Sequence, residues 1–473
     1  MTKTGNVFPN LATAKRWCSA FAISAATCAV LWAPSAQAAD GDVTEYTLNN
    51  GLRVVVKEDQ RSPTVAHMVW YKAGSIDEYN GTTGVAHVLE HMMFKETKTL
   101  KVGEFSERVA ALGGRDNAFT SRDYTAYFQQ LQAKDLGKVM ALEADRMANL
   151  VLSESEFEKE IKVVMEERRW RTDDKATGKL YEAFIATAFQ ASPTRTPVIG
   201  WMSDLEAMTY KDARKWYDTW YTPQNAVLVV VGAVQPAQVK AMAEKTYGKV
   251  KPKQLEERKP QDEPKQEGIR RVQVKAPAEN PYLIMGFKVP KLTNVLQDRD
   301  PYALAVLSAV LDGYSGARLN RELVQTQKVA LQAGAGYDMT GRGPSLFYLD
   351  GAPAPGQTIE ALEQALLDQV NKVATEGVSE AELARVKAQL IASQVYKRDS
   401  LFGQAMEIGQ NLMLGFEVAD IDRMIEQIKT VTAQEVQYAA QTFFDQDQLT
   451  VGTLFPLPID PNKKNEQPKG LSH

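Results

Sequence analysis

Thr209-Tyr-Lys-Asp212 opens a helix with a hydroxyl at its start and a carboxylate three residues on, and through Trp220-Tyr221 it leads into the apolar run Ala226-Val-Leu-Val-Val-Val231. The same order returns 223 residues later as Thr432-Ala-Gln-Glu435, then Phe443-Phe444, then Leu449-Thr-Val-Gly-Thr-Leu454. Upstream, Ser153-Glu154-x-Glu156-Phe157 and Ser379-Glu380-x-Glu382-Leu383 match at an offset of 226. Two unlike segments repeating at nearly one offset predict a chain made of two diverged copies.

Each copy starts with strand-like segments: Leu52–Lys57 and Thr64–Tyr71 in the first, Arg271–Lys275 and Tyr282–Lys288 in the second. Capped helical stretches follow, then the closing strand. Strands and helices without regular βαβ alternation predict an α+β fold, two homologous sandwiches, each a sheet with helices packed on one face. Residues 251–268 (KPKQLEERKPQDEPKQEG) carry three prolines and a single aliphatic residue, Leu255, and read as an exposed linker. The expected organisation is therefore a first domain over 39–250, a linker over 251–268, a second domain over 269–456 and a loose Pro-, Lys- and Asn-rich tail over 457–473.

Residues 1–38 form a separate unit. Lys3, Lys15 and Arg16 precede an apolar run from Phe21 to Ala33, and Ala36-Gln37-Ala38 places small residues for a signal peptidase. Removing this leader takes away both cysteines, Cys18 and Cys28, and moves the net charge from −4 to −7. A mature chain without cysteine has no disulfide, thiol nucleophile or thiolate metal site, and points to a periplasmic or secreted protein. No later apolar stretch is long enough to span a bilayer. Over its 473 residues the chain has 55 Lys+Arg against 59 Asp+Glu, which excludes the basic excess of a nucleic-acid binder.

The chemistry sits in Gly84-Val-Ala-His87-Val-Leu-Glu90-His91-Met-Met-Phe94, which holds two of the four histidines. Helical side chains four apart project from one face, so His87 and His91 can reach one metal ion, with Glu90 beside them to take a proton from water. Thr82 or Thr83 is the expected helix cap. Imidazoles without thiolates suit Zn²⁺, and a catalytic zinc wants three protein ligands with one position open. The helical stretch Glu154–Arg169 offers Glu160 and Glu167 two turns apart on one face, with Glu166 turned about 100° away. Spacing alone does not choose between Glu166 and Glu167.

His87 to His91, followed by Glu167 after 75 intervening residues, resembles the pitrilysin/insulinase family of zinc peptidases, family M16, in its two-domain processing-peptidase-like branch. Ala73-Gly-Ser-Ile-Asp-Glu78, Leu112-Gly-Gly-Arg-Asp-Asn117-Ala-Phe-Thr120, Val164-Met-Glu-Glu167 and Pro223-Gln-Asn225 through Gly232 carry the likeness further. The resemblance implies a peptidase whose halves form a clam-like chamber. It implies one Zn²⁺ per chain held by His87, His91 and Glu167, Glu90 as general base, and Glu160 in support. The stretch Asn117–Tyr127 reads as a strand after a Gly-Gly turn. The resemblance makes it a substrate-binding edge at Asn117, Ala118 and Phe119, where an extended peptide pairs through its backbone.

The second half has no histidine before His473, and Val386 and Ser393 stand where Glu160 and Glu167 map. Family assemblies commonly grip substrate with a C-terminal Arg-x6-Tyr pair; here Val324 and Leu331 occupy its positions. That departure implies a second M16-like subunit supplying the pair, or a homodimer. Arg318, His67 and the Trp216–Tyr221 aromatic cluster read as structural. The competing function is a non-catalytic assembly or peptide-binding subunit, against which the intact His87/Glu90/His91/Glu167 set weighs. Metal-dependent hydrolysis of a non-peptide substrate is the third possibility.

Overall fold

Val54-Val-Val56 and Leu228-Val-Val-Val231 are apolar without alternation, the pattern of strands buried on both faces. The computed structural model, which describes residues 43–460, shows both inside one sheet. The leader expected at 1–38 and the chain from 461 onward lie outside the described residues. Among the described residues the strands are β1 (Val43–Thr47), β2 (Arg53–Glu58), β3 (Thr64–Tyr71), β4 (Arg115–Thr120), β5 (Thr125–Gln132) and β6 (Ala226–Gly232), then β7 (Arg270–Pro277), β8 (Tyr282–Val289), β9 (Ala330–Tyr337), β10 (Ser345–Pro353) and β11 (Leu449–Leu457). They form two sheets, ordered β1-β2-β6-β3-β5-β4 and β7-β11-β8-β10-β9.

Leaving β1 aside, the two orders are the same, and in each only the first pair, β2–β6 or β7–β11, is parallel. The repeat seen in the sequence falls on equivalent places. Ala226 and Leu449 open β6 and β11. Thr209 and Thr432 sit at the N-caps of the preceding helices, each in a capping box, and Ser153 and Ser379 also occupy N-cap positions. The fold is thus a pair of α+β sandwiches of like topology, as expected.

One face of each sheet packs on its own half's helices. In the first sheet Val54, Val56, Val69 and Leu228 face the helices that include Val85–Met92 and Tyr210–Trp220. The other face was expected to lack helices and does not. Val55, Met68, Trp70, Val229 and Val231 pack against Ala405, Ile408 and Leu412 of helix Leu401–Leu414, which belongs to the second half. Reciprocally, Leu180, Phe184 and Ile185 of helix Ala176–Ala188, from the first half, cover Ala276, Ile284 and Leu454 of the second sheet. Each half lends a helix to the other, because a sheet apolar on both faces must be covered twice.

Three details depart from the sequence reading. Asn117–Tyr127 is not one strand but the hairpin β4–β5, turned at Ser121, whose N–H donates to the Tyr124 carbonyl at 2.8 Å. Residues 251–268 carry no helix or strand, yet they strap the halves instead of lying free. Arg258 bonds Asp77 at 2.7 Å, Glu263 accepts from the Gln190, Ala191 and Ser192 amides at 2.9–3.0 Å and from Lys288 at 2.8 Å, and buried Gln266 donates to the Leu449 carbonyl at 2.8 Å. Finally, Pro456 and Leu457 continue β11, paired with Ala276 and Pro277 of β7. Across the halves Arg342, in the β9–β10 turn, clamps buried Asp77 with bonds of 2.8 and 2.5 Å and also reaches the Asp123 carbonyl at 2.9 Å.

Candidate metal centre

His87, Glu90 and His91 lie on helix Val85–Met92, which is buried along its whole length. Its start is built differently from expectation. Gly84, not a threonine, is the N-cap, in the left-handed region at φ +88°, and a Cβ there would stand 2.6 Å from the Ile199 carbonyl oxygen. The first amides are met by Glu78, whose carboxylate accepts from Gly84 N at 2.8 Å and Ala86 N at 2.9 Å. Burial pushes the Glu78 carboxyl up to about 8, although both amide bonds pull the other way. The Thr83 hydroxyl donates to Asp204 instead, at 2.7 Å.

Helix Glu154–Arg168 runs beside it and presents Glu160 and Glu167, both buried. Glu167 Oε2 lies 3.7 Å from His87 Nε2 and 3.4 Å from His91 Nε2, and the ligand atoms of the three residues all lie within 4.8 Å of one another. Glu166 turns outward to Arg169, so only Glu167 is placed to share a metal with the imidazoles. Ligand atoms about 2.0–2.1 Å from a tetrahedral zinc stand about 3.3 Å apart. Two imidazole nitrogens and one carboxylate oxygen at these separations therefore fit that ion.

His91 and Glu167 each have an outer partner. His91 Nδ1 is 3.3 Å from Glu160 Oε2, and Glu160 Oε1 pairs with Lys95 Nζ at 2.6 Å. Arg171 Nη2 holds the second oxygen of Glu167 at 2.7 Å. Burial alone would lower the His91 imidazole, but Glu160 and Glu167 outweigh it and raise it to about 9. Burial alone would raise both carboxyls. His91 and Lys95 nevertheless hold Glu160 at about 2, and His91, His87 and Arg171 do the same for Glu167. Two fixed carboxylates around the imidazoles make a cradle for a cation.

Glu90 accepts a 2.5 Å hydrogen bond from the Thr120 hydroxyl, and burial raises its carboxyl above the ordinary range. His87, Glu90, His91 and Glu167 open into one cleft of about 480 Å³. Asn117, Ala118, Phe119 and Thr120 of β4 form one wall, and Arg171, Tyr181 and Ile199 lie across it. The cleft thus gathers His87, Glu90, His91, Glu167, Asn117, Ala118 and Phe119, while Glu160 stands behind His91. Thr120, Arg171 and Tyr181 were missed. Arg171 follows Glu167 by four residues, a spacing that could have flagged it; it sits in the π-helical turn Arg169–Asp173, an irregularity frequent at functional sites.

Residues 53–200 match the family model described as Insulinase (Peptidase family M16), and residues 207–390 match the one described as Peptidase M16 inactive domain. A Helicobacter pylori protein named "Zinc protease PqqE" is 37% identical over 347 residues, spanning 72% of this chain and 77% of its own. The chain belongs to the M16 family of peptidases. A solved structure described as a protease from Helicobacter pylori superposes with a TM-score of 0.83 at 32% identity, covering 88% of this chain and all of the other. The Arabidopsis thaliana protein named "Probable mitochondrial-processing peptidase subunit beta, mitochondrial" is 27% identical over 428 residues, 87% of this chain and 78% of that one.

Within this M16 chain the second half has no metal-binding cluster among the described residues. Val324 packs partly buried against its core and Leu331 is exposed on β9. Arg318 forms a bidentate pair with Glu382 at 2.9 and 2.7 Å, a structural role. His67 is fully buried between Gln129 at 2.6 Å and the Tyr247 hydroxyl at 3.0 Å, and Trp216, Tyr217, Trp220 and Tyr221 are core. No helix among the described residues is long and apolar enough to cross a membrane.

Proposed function

We propose that this chain is an exported zinc metalloendopeptidase that hydrolyses unfolded peptides or small proteins. The observation that carries the reading is the convergence of His87, His91 and Glu167, with Glu90 opening into the same cleft. His87 and His91 through Nε2 and Glu167 through Oε2 would hold one Zn²⁺, and Glu160 would fix the tautomer and tilt of His91 through Nδ1. Bound there, zinc supplies a Lewis acid that polarises the scissile carbonyl and acidifies water. Glu90 accepts a proton from the attacking water and returns it to the leaving amine. Its raised affinity for a proton, a product of burial, suits both halves of that exchange.

Substrate is held at β4. β4 is the outer strand of its sheet, the Ala118 N–H there donates to the Asn117 side chain at 2.7 Å, and Asn117, Ala118 and Phe119 wall the cleft. An extended peptide added there is recognised by its main chain, with little demand on sequence. Val324 and Leu331 leave the Arg/Tyr grip to a second M16-like subunit or a second copy of the chain, in keeping with a relative named as a subunit. The leader at residues 1–38 directs the chain to the periplasm or beyond.

The deciding experiment pairs metal analysis with cleavage of a quenched peptide, by the tagged chain alone and with any protein that co-purifies. Glu90→Gln retains zinc and loses turnover by about 10²–10⁴-fold. Full turnover in that variant would overturn Glu90 as the base, and a parent chain with no chelator-sensitive cleavage would belong to the non-catalytic class. Equal rates for the chain alone and with its companion would remove the shared grip.

A further inference from the structure

Thr120 is the last residue of β4 and stands opposite Thr125, the first residue of β5. Its hydroxyl donates to Glu90 Oε2 at 2.5 Å across the cleft wall. The hairpin does not need that hydroxyl. It is closed by Ser121, whose N–H and hydroxyl both bond the Tyr124 carbonyl, at 2.8 and 3.0 Å. Thr125, fully buried 3.4 Å from the Thr120 oxygen, gives its own proton to the Ala73 carbonyl at 2.9 Å. Thr120 is therefore seated against a fixed neighbour, with its one proton committed to Glu90.

We infer that Thr120 is the positioning residue for Glu90, fixing that carboxylate from the strand proposed to hold substrate. By holding Oε2, the hydroxyl leaves Oε1 as the oxygen that receives a proton. Asn117 to Phe119, the segment proposed to pair with substrate, directly precedes Thr120 on the same strand. Orientation of a reacting group is worth large factors in rate. The inference rests on Glu90 acting as base.

The test compares Thr120→Val, which keeps the shape and removes the hydroxyl, with Thr120→Ser, which keeps the hydroxyl, in the full chain together with any companion its activity requires. The readouts are kcat and KM for a quenched peptide, zinc content, and the affinity of the same peptide for Glu90→Gln with and without Thr120→Val. We expect Thr120→Val to lower kcat by about 10–100-fold, the range for lost outer-shell partners. KM, zinc content and peptide affinity should stay within about twofold, and Thr120→Ser should recover most of the rate. Thr120→Val with kcat within twofold of the parent overturns the inference. So does a rate loss matched by lost zinc or lost peptide affinity, or a serine variant as slow as the valine. An active Glu90→Gln would defeat the peptidase mechanism itself; an inactive Glu90→Gln beside a fast Thr120→Val defeats only the role of Thr120.

Discussion

Gly409→Ala tests whether the helix lent by the second half is pressed against the first half as tightly as the packing indicates. Gly409 lies on Leu401–Leu414, and a Cβ added there would stand 2.1 Å from Trp70 Cε2 and Nε1 and 2.6 Å from Cζ2. Carbon atoms pack at about 3.5–4.0 Å, so about 1.4 Å of clearance has to be made. Trp70 has no room to yield. It is fully buried, with Phe119 edge-on at 5.5 Å and Tyr124 at 5.1 Å, while Ala405, Ile408 and Leu412 pin the helix on the same sheet face. Overpacking of this kind costs about 1–3 kcal/mol. In an unconstrained helix the same change would stabilise by about 0.5–1 kcal/mol, so the two arguments predict opposite signs. We expect a net loss of about 1–2 kcal/mol, read as a lower urea midpoint at unchanged slope. Trp70→Phe in the same chain should recover part of it in a double-mutant cycle. A Gly409→Ala protein as stable as the parent, or more so, would refute the close contact between the halves. Because Phe119 abuts Trp70 and also walls the cleft, the variant should weaken peptide binding as well.

Glu160→Gln keeps an acceptor for His91 Nδ1 but removes the charge and leaves Lys95 without its partner; zinc affinity should fall about 10–100-fold in competition with a chelating dye. The linker gives a pH signature. Burial would raise the Glu263 carboxyl, but Lys288 and three backbone amides hold it at about 2, below its ordinary 4.5. A carboxyl depressed by folding stabilises the native state above its unfolded pKa and loses that contribution as pH falls through the folded one. Stability should therefore decline from about pH 4.5 towards pH 2, and Glu263→Gln should lower stability at pH 7 and flatten that decline in denaturation series across pH.

Much of this was legible in the sequence because it rests on local periodicity. Residues four apart on a helix share a face, so His87 and His91 had to converge, and seven residues put Glu160 and Glu167 together. Capped helices and apolar runs repeating at offsets of 223 and 226 revealed the duplication, which the matching strand orders then display. What was not legible depends on contacts between distant residues. Glu78 caps the metal helix from six residues ahead of Gly84, a place no capping rule addresses. The Ser121 turn splits what alternation alone reads as one strand. Arg171 reaches Glu167 from a π-helical turn that periodicity does not anticipate. An unbroken valine run announces a strand buried on both faces, but it does not say that the second cover comes from a helix about 180 residues further on.

That exchange explains why a half with no metal-binding cluster among its described residues is not a spare part. Met68, Trp70, Val229 and Val231 present a broad apolar face that water would meet if Leu401–Leu414 left it. Burial of each such side chain is worth about 1.5–3 kcal/mol, so the cover is comparable to the whole stability of a typical domain, about 5–15 kcal/mol. The same helix reaches towards the chemistry through Gly409, Trp70 and Phe119, while from the other edge Arg342 grips Asp77, one residue from the Glu78 that caps the metal helix. The second half therefore bears on the His87, His91 and Glu167 cluster from a distance: it sets the back of β4 through Trp70 and Phe119, and the segment that starts helix Val85–Met92. These mechanical duties need no metal-binding residues, which is why a copy of the same fold can serve the first half without a metal cluster of its own among the described residues.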